Sequence, residues 1–369
     1  MGNDRKGSAG NGSTSPSGKE RKRDYSLNPF PVDSGFLFFT MIKLIDSYNR
    51  HINYLRISIT DRCNLRCIYC MPKDGISLIG HDDILRYEEL LRIARIAVSK
   101  GISKIRITGG EPLVRKGVVD FIRDLSAMSG VQDLSMTTNG ILLSSAAQAL
   151  RSAGLKRLNI SLDSLSPEKY RTVTRGGDIN QVRAGIRSAN EAGFSPLKIN
   201  MVAIRGVNDD EILAFARLTL EYAAHVRFIE YMPIGTENGW HEDRFVSAEE
   251  IKSTISSLGH LEQIQSDNGA GPAQMYALAG APGRLGFISS ISSHFCATCN
   301  RLRLTPDGKL RTCLFSDAEV DLKTPLRQGC SDEELERIIT AAILSKPQKH
   351  HAAEPVFKKC VRGMSAIGG

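Results

Sequence analysis

From Tyr54 onward the chain alternates between short runs of strand period and longer runs of helical period, and six such units in succession leave few folds open. The strand candidates are residues 55–60, 104–108, 134–138, 157–162, 197–203 and 226–231. Helical patterns fill the gaps; residues 87–99 carry apolar positions at helical spacing, and Gly101 stands just past their end. Successive βα units specify a parallel sheet wrapped by helices, so the expected class is α/β, an incomplete (β/α)6 TIM-like barrel. After about Ser247 the rhythm breaks into shorter pieces. The expected organisation is a tail over 1–40, the barrel over 41–246 and a C-terminal region over 247–369.

Strand phase carries more information than strand existence, because barrel residues alternate between the helix layer and the lumen. In the first strand Leu55, Ile57 and Ile59 share one face, and Arg56, Ser58 and Thr60 share the other. In the second, Ile105 and Ile107 oppose Lys104, Arg106 and Thr108. The fourth sets Ile160 and Leu162 against Asn159, Ser161 and Asp163; the fifth sets Leu197, Ile199 and Met201 against Lys198 and Asn200. A closed barrel fills its lumen with Val, Ile and Leu. Polar lumen faces on four strands are costly to bury unless something polar occupies the space. A half-solvated sheet gives the same alternation, but helices covering parallel strands disfavour it. The lumen is expected to be a site.

With 41% hydrophobic and 24% charged residues among 369, the chain has an ordinary soluble composition. No apolar run approaches the roughly 18 residues that span a bilayer. The stretch 36–42 is short and is broken by Lys43. Residues 7–18 are Gly, Ser, Asn and Pro with almost nothing apolar, and 19–24 form a charge run, the composition of a disordered tail. A transit peptide fits less well, since Asp4, Glu20 and Asp24 interrupt it and no apolar stripe is present. Met41 as the working start is a third reading. The expected location is cytoplasmic. A net charge of +8 suits an anionic partner, and the placement of the cations has to choose between nucleic acid, membrane and polyphosphate.

Six of the eight cysteines fall in two tight groups, Cys63, Cys67 and Cys70, then Cys296, Cys299 and Cys313, while Cys330 and Cys360 stand alone. Nothing resembling a signal peptide precedes them, which favours thiolates holding metal in a reducing compartment over disulfides. The first group follows the first strand and therefore sits at the barrel mouth. A cubane cluster has four irons, so three cysteines leave one iron open, and an open position is what chemistry requires, whereas structural metal sites are closed. A zinc site completed by His81 is the alternative, although C-x3-C-x2-C is unusual spacing for zinc. The second group also lacks a fourth cysteine, and a zinc ribbon there would recruit His294. At strand period Arg301 and Arg303 point one way, with Leu302 between them, and two guanidinium forks suit phosphate oxygens or a purine edge. Two solvated arginines on an exposed strand are the plain alternative.

The cysteine triplet, Tyr69 just before Cys70, and Gly109-Gly110-Glu111-Pro112 after the second strand together resemble the radical SAM superfamily. That resemblance implies S-adenosylmethionine (SAM) chelated to the open iron of a [4Fe–4S] cluster and cleaved by one electron to methionine and a 5′-deoxyadenosyl radical. The C-terminal layout, ending in Gly368-Gly369, is similar to the GTP 3′,8-cyclase family of molybdenum-cofactor biosynthesis from about Met41 to Gly369. The barrel would then be of the radical SAM type, with a C-terminal extension carrying a second [4Fe–4S] cluster. By the resemblance, Cys63, Cys67 and Cys70 hold the first cluster and Cys296, Cys299 and Cys313 the second. SAM-contacting positions fall on Tyr69, Gly110, Ser161 and Met232. GTP-contacting positions fall on Arg56, Arg106, Thr137, Lys198, Arg301, Leu302 and Arg303, and Gly368 and Gly369 join the catalytic set. The implied reaction is a lyase step on GTP, in which the radical takes hydrogen from ribose C3′ and that carbon attacks guanine C8. The implied partners are GTP, a downstream cyclic pyranopterin monophosphate synthase and an electron donor, with no nucleic acid and no membrane; a homodimer is left open.

Two rivals remain. A peptide-modifying radical SAM maturase also carries auxiliary clusters, but usually with more cysteines and without the Arg-x-Arg segment. A zinc-binding adaptor for nucleic acid would gather basic residues on one face with aromatics to stack bases. Here Trp240 is the single tryptophan and the tyrosines are scattered.

Overall fold

The structure, a computed structural model, describes residues 44–235, 239–265, 271–350, 352 and 360–368. The chain divides at Thr40, and the second unit, Met41–Gly369, is the one described below. The tail expected over 1–40 and the catalytic candidate Gly369 lie outside the described residues.

Six βα units open this unit. They run β1 (Tyr54–Ser58), α1 (Tyr87–Ser99), β2 (Lys104–Thr108), α2 (Val118–Ser126), β3 (Asp133–Thr138) and α3 (Leu143–Ser152). They continue with β4 (Arg157–Ser161), α4 (Pro167–Thr174), α5 (Ile179–Glu191), β5 (Lys198–Ala203), α6 (Ile212–Glu221), β6 (His225–Glu230) and α7 (Ala248–Ile255). The six strands agree with the periodic segments to within two residues at each end. Local chemistry sets the helix starts. The Arg86 amide donates to Glu89 Oε2 at 2.7 Å ahead of α1, which satisfies one of the amides a helix start leaves free. Ser166 caps α4, accepting from the Lys169 amide, with Pro167 in the first turn, where a missing N–H costs nothing.

The remaining elements are β7 (Leu261–Ile264), β8 (Gln274–Leu278), β9 (Arg284–Ile288), β10 (Arg301–Leu304), β11 (Lys309–Arg311), β12 (Val320–Asp321), α8 (Lys323–Arg327), α9 (Asp332–Leu344) and α10 (Met364–Ile367). They supply strands to both edges of the sheet, whose order is β12-β11-β10-β1-β2-β3-β4-β5-β6-β9-β8-β7. Pairing is parallel from β10 through β1–β6 to β9 and antiparallel in the hairpins beyond. Eight parallel strands thus form an open barrel, because among the described residues no pairing joins its two ends. β9 follows the β7–β8 hairpin and β10 follows the Cys296–Cys299 loop, with no α-helix immediately before either, so the βα rhythm did not announce them.

One apolar cluster fills the space between sheet and helices. Leu55, Ile57, Ile107, Ile160, Phe228 and Leu302 all belong to it and are almost fully buried. The opposite phase is polar and in register. Arg303, Arg56, Arg106 and Ser135 form one row across four neighbouring strands. Thr137, Asn159, Lys198 and His225 form another across β3 to β6.

Candidate active site

A cavity of about 580 Å³ lies against these polar faces. The three cysteines of each group, Arg303, Arg56 and Arg106 of the first row, Thr137, Lys198 and His225 of the second, and the loop after β2 all line it. Topology explains how two groups more than 200 positions apart meet one space. Cys63 follows β1 and sits at the carboxyl end of the parallel strands. Cys296 and Cys299 precede β10, which runs parallel to β1, and so sit at the amino end. Cys313 follows β11, which returns antiparallel to β10, and therefore comes back to that same end. A five-residue strand is about 16 Å long, so the two groups face each other across the cavity with the arginine row between them.

The first loop is built to hold its thiols outward. The Arg66 and Ile68 amides donate to Thr174 and Val173 carbonyls at 3.1 and 2.9 Å, tying the loop to the end of α4. The Leu65 amide points at Cys63 Sγ at 3.4 Å, and Asn139 Nδ2 lies 3.8 Å from the same sulfur. Burial and neighbouring thiols push Cys67 and Cys70 up, Cys70 to about 12. Buried thiols already supplied with N–H donors are suited to a cationic partner that takes them as thiolates. Gly110 packs so closely on the chain at Asp61 and Arg62 that a Cβ would collide with backbone; its amide donates to Thr60 O at 2.7 Å. Glu111 is held beneath by Leu113, Thr138 and Asn139 donors, with burial raising it to about 7. Tyr69 Oη donates to Asp163 at 2.8 Å, and Ser161 and Met232 line the same end.

Around the second group the surroundings are cationic. Burial would raise Cys299, but Arg301 and Lys346 outweigh it and bring the thiol down to about 6. Buried Arg50 donates to the Cys296 and Gln348 carbonyls at 2.9 Å, and its Nε pairs with Asp46 at 2.6 Å. Lys346 reaches the Arg301 carbonyl at 3.1 Å and the Thr312 carbonyl beside Cys313. His294 and His81 are absent from the cavity lining. Among the described residues no three His, Cys, Asp or Glu side chains are placed to hold a single metal ion. A cubane does not need that arrangement, because each thiolate takes a different iron.

Between the groups the cations crowd. Burial lowers Arg56, with Arg303, Arg106 and Arg301 adding repulsion. Burial together with Arg227 and Arg157 brings Lys198 down to about 7, and Arg303 falls to about 9 by burial and Arg301. Thr137 Oγ1, Asn200 Oδ1 and Arg227 Nε are buried without a hydrogen-bond partner at this wall. A polyanion with polar groups would satisfy both deficits. Arg301 also stacks on Phe295 at 4.6 Å. Leu302 differs from its neighbours: its side chain is 1% exposed within the apolar core, so only its backbone faces the cavity side and its side chain does not line it.

Gly368 enters from the other direction. Its carbonyl accepts from Arg303 Nη1 at 2.5 Å, and it adopts a φ of +86° between Ser58 and Thr108. Strand phase had placed Lys104, Asp163 and Asn200 on the lumen without assigning them roles. It missed Asp133, Arg157, His225 and Arg227, which line the same wall; the alternation in β3, β4 and β6 was the signal that would have found them. Arg50 and Lys346 had no such signal, because long-range packing brings them to the cysteines.

Partial barrel, cysteine loop and the Gly109-Gly110 segment define a radical SAM enzyme, and residues 57–219 match the model of the Radical SAM superfamily. Residues 224–352 match the Molybdenum Cofactor Synthesis C model. Three relatives carry the name GTP 3′,8-cyclase: from Heliobacterium modesticaldum at 52% identity, covering 88% of this chain and all of that one, and from Moorella thermoacetica and Thermodesulfovibrio yellowstonii at 53%, each covering 88% of this chain and 99% of the other. The chain belongs to the GTP 3′,8-cyclase family. Membership of the radical SAM superfamily implies a [4Fe–4S] cluster and SAM. The crystal structure of Streptococcus suis SuiB bound to S-adenosylmethionine is 13% identical with a TM-score of 0.58, covering 85% of this chain and 76% of that one, a likeness of fold alone. No helix among the described residues is long and apolar enough to cross a membrane.

Proposed function

We propose that this chain is a lyase that converts GTP to (8S)-3′,8-cyclo-7,8-dihydroguanosine 5′-triphosphate, the first step of molybdenum-cofactor biosynthesis. The observation that carries the reading is the row Arg303–Arg56–Arg106 lying between two cysteine triplets on one cavity wall. Cys63, Cys67 and Cys70 would hold the SAM-binding cluster, with Tyr69, Gly110, Ser161 and Met232 around SAM. Cys296, Cys299 and Cys313 would hold a second [4Fe–4S] cluster, which would supply an open iron for the guanine. With SAM bound, the first cluster supplies the 5′-deoxyadenosyl radical that removes hydrogen from ribose C3′.

The protein's own part is charge and position. GTP carries close to four negative charges, and Arg56, Arg106, Lys198, Arg301 and Arg303 would neutralise and orient it so that C3′ meets C8. Thr137 Oγ1, otherwise unpaired, would bond the nucleotide, while the Leu302 backbone would flank it. Gly368 and Gly369 would close the lumen beside the reacting ribose and exclude water. Ring closure needs one further electron and one proton, so an external electron donor is part of the proposal. The product would pass to a cyclic pyranopterin monophosphate synthase in the cytoplasm, and a homodimer is compatible with this scheme. Residues 1–40 would be dispensable.

The test is anaerobic reconstitution with iron and sulfide, followed by turnover with SAM, reductant and GTP. Cyclised nucleotide and 5′-deoxyadenosine should appear together. A colourless protein holding stoichiometric zinc, or SAM cleavage without any cyclised nucleotide, would overturn the reading.

A further inference from the structure

The last described segment of the chain, residues 360–368, touches both halves of the cavity, and one side chain anchors its start. Cys360 bridges to Ile234, and with Ile367 the two form a small apolar cluster away from the main core. Arg362 then grips two carboxylates. Its Nη1 and Nη2 donate to Asp307 Oδ1 and Oδ2 at 2.9 and 2.7 Å, and its Nε lies 2.9 Å from Glu319 Oε1. Both carboxylates are themselves fixed. Thr305 Oγ1 donates to Asp307 at 2.6 Å, and the fully buried Arg311 donates to Glu319 at 2.5 Å. A bidentate fork leaves a guanidinium little freedom to swing.

Beyond the fork, the segment crosses the cavity mouth. Gly363 packs beside the Cys70 carbonyl, which a Cβ there would meet at 3.7 Å, and six residues past Arg362 the Gly368 carbonyl takes Arg303 Nη1 at 2.5 Å. Asp307 and Arg303 both belong to the β10 hairpin, four positions apart. Arg362 and Gly368 therefore meet the same hairpin at two points, and the first contact sets the reach of the second.

We infer that Arg362 is a positioning residue for the cyclisation, fixing the segment so that Gly363 packs beside Cys70 and Gly368 meets Arg303. The inference rests on the reading in which Gly368 takes part in turnover. A freed segment would leave Arg303 without the Gly368 carbonyl. SAM cleavage would then continue while its coupling to ring closure fails.

The experiment compares full-length holoenzyme with Arg362→Ala, Arg362→Lys and a chain lacking Gly368 and Gly369. Amide hydrogen exchange over 360–368, iron content, GTP affinity and the ratio of cyclised nucleotide to 5′-deoxyadenosine are read in each. Arg362→Ala should raise exchange across the segment and lower that ratio about tenfold, the effect of losing one positioning contact, with iron and GTP affinity unchanged. Arg362→Lys keeps the charge and should recover much of the ratio. Arg362→Ala with a normal ratio, beside a deletion that loses it, overturns the inference and leaves the reading of Gly368 standing. A normal ratio in the deletion overturns both. Loss of iron or of GTP binding in Arg362→Ala would make the residue structural and also overturns the inference.

Discussion

Arg303 on β10 stands beside Arg56 on β1 in parallel register, two buried guanidinium groups side by side on the cavity wall. Arg303, with Arg106 and Arg301, depresses the basicity of Arg56 on top of what burial does, and Arg301 does the same to Arg303. The nucleotide-free fold carries that repulsion, and a bound polyanion relieves it. Arg56→Met should therefore raise the thermal midpoint without GTP by about 1–2 °C, since about 1 kcal/mol moves a domain of this size by that much. The same change should weaken GTP binding by about 1.5–3 kcal/mol, the scale of a charged hydrogen bond. Scanning calorimetry and titration calorimetry measure the two effects. Unchanged GTP affinity would return the row to a purely structural role.

Lys198 gives a pH signature. Burial, then Arg227, Arg157 and Arg106, bring it from 10.5 to about 7. Between those values the unfolded chain holds the proton and the fold does not, so this group makes stability rise with pH from about 7 to 10.5. GTP restores a reason to be charged. Binding at pH 8 should then take up about one proton, and affinity should fall as pH rises above 7. Titration calorimetry in buffers of different ionisation enthalpy reads the uptake directly. Lys198→Met should abolish it; equal uptake in the variant would place the proton elsewhere.

Much of this site was legible before the fold. Arg56, Arg106 and Lys198 shared a lumen phase because side chains alternate along a strand, and Cys63 followed a strand because the pattern showed where β1 ended. The two outer parallel strands did not follow from the βα rhythm: the segment around Arg301 and Arg303 read as a strand without a place in the sheet, and β9 and β10 pair with β6 and β1 through contacts between residues far apart in sequence. The same distance hid Glu230. This buried carboxylate accepts from the Ala248, Ile291 and Ser292 amides, joining β6 to α7 and to the loop leading toward Cys296. No local pattern marks a residue whose partners come from two distant segments. Leu302, placed among the ligand contacts by the family resemblance, keeps its side chain in the core because strand alternation turns it away from Arg301 and Arg303.

Iron content separates the two cysteine groups. Two cubanes hold about eight irons, and replacing Cys296, Cys299 and Cys313 by Ala should leave about four. The first loop does not depend on that end of the strands, so SAM cleavage should survive, uncoupled from GTP. Replacing Cys63, Cys67 and Cys70 should also leave about four irons but abolish cleavage. Iron and sulfide analysis with 5′-deoxyadenosine quantification decides it. Full iron retention in the first triple variant would remove the second cluster from the mechanism.

Gly368 offers the sharpest steric test. Its seat is walled by Ser58 and Thr108, which face each other in register on β1 and β2 and are both buried. A Cβ on Gly368 would stand 2.5 Å from Thr108 Oγ1 and 2.7 Å from Ser58 Cβ, closer than side chains tolerate. Neither wall can retreat, since each is held in the parallel ladder at the centre of the sheet. The φ of +86° adds roughly 1–2 kcal/mol for any residue bearing a Cβ. Gly368→Ala should thus be expelled from its seat and break the contact with Arg303. Cyclised nucleotide per 5′-deoxyadenosine should fall about tenfold or more, equivalent to about 1.4 kcal/mol of barrier. Iron content should be unchanged, because no cysteine moves. Widening the seat with Ser58→Gly and Thr108→Ala in the Gly368→Ala background removes the collision and leaves only the backbone cost. That triple variant should regain part of the lost coupling, whereas Ser58→Gly and Thr108→Ala alone should not improve on the parent. Anaerobic turnover with both products quantified from one reaction makes the comparison. Full product from Gly368→Ala would mean that the glycine fills space beside Arg303 without serving the reaction.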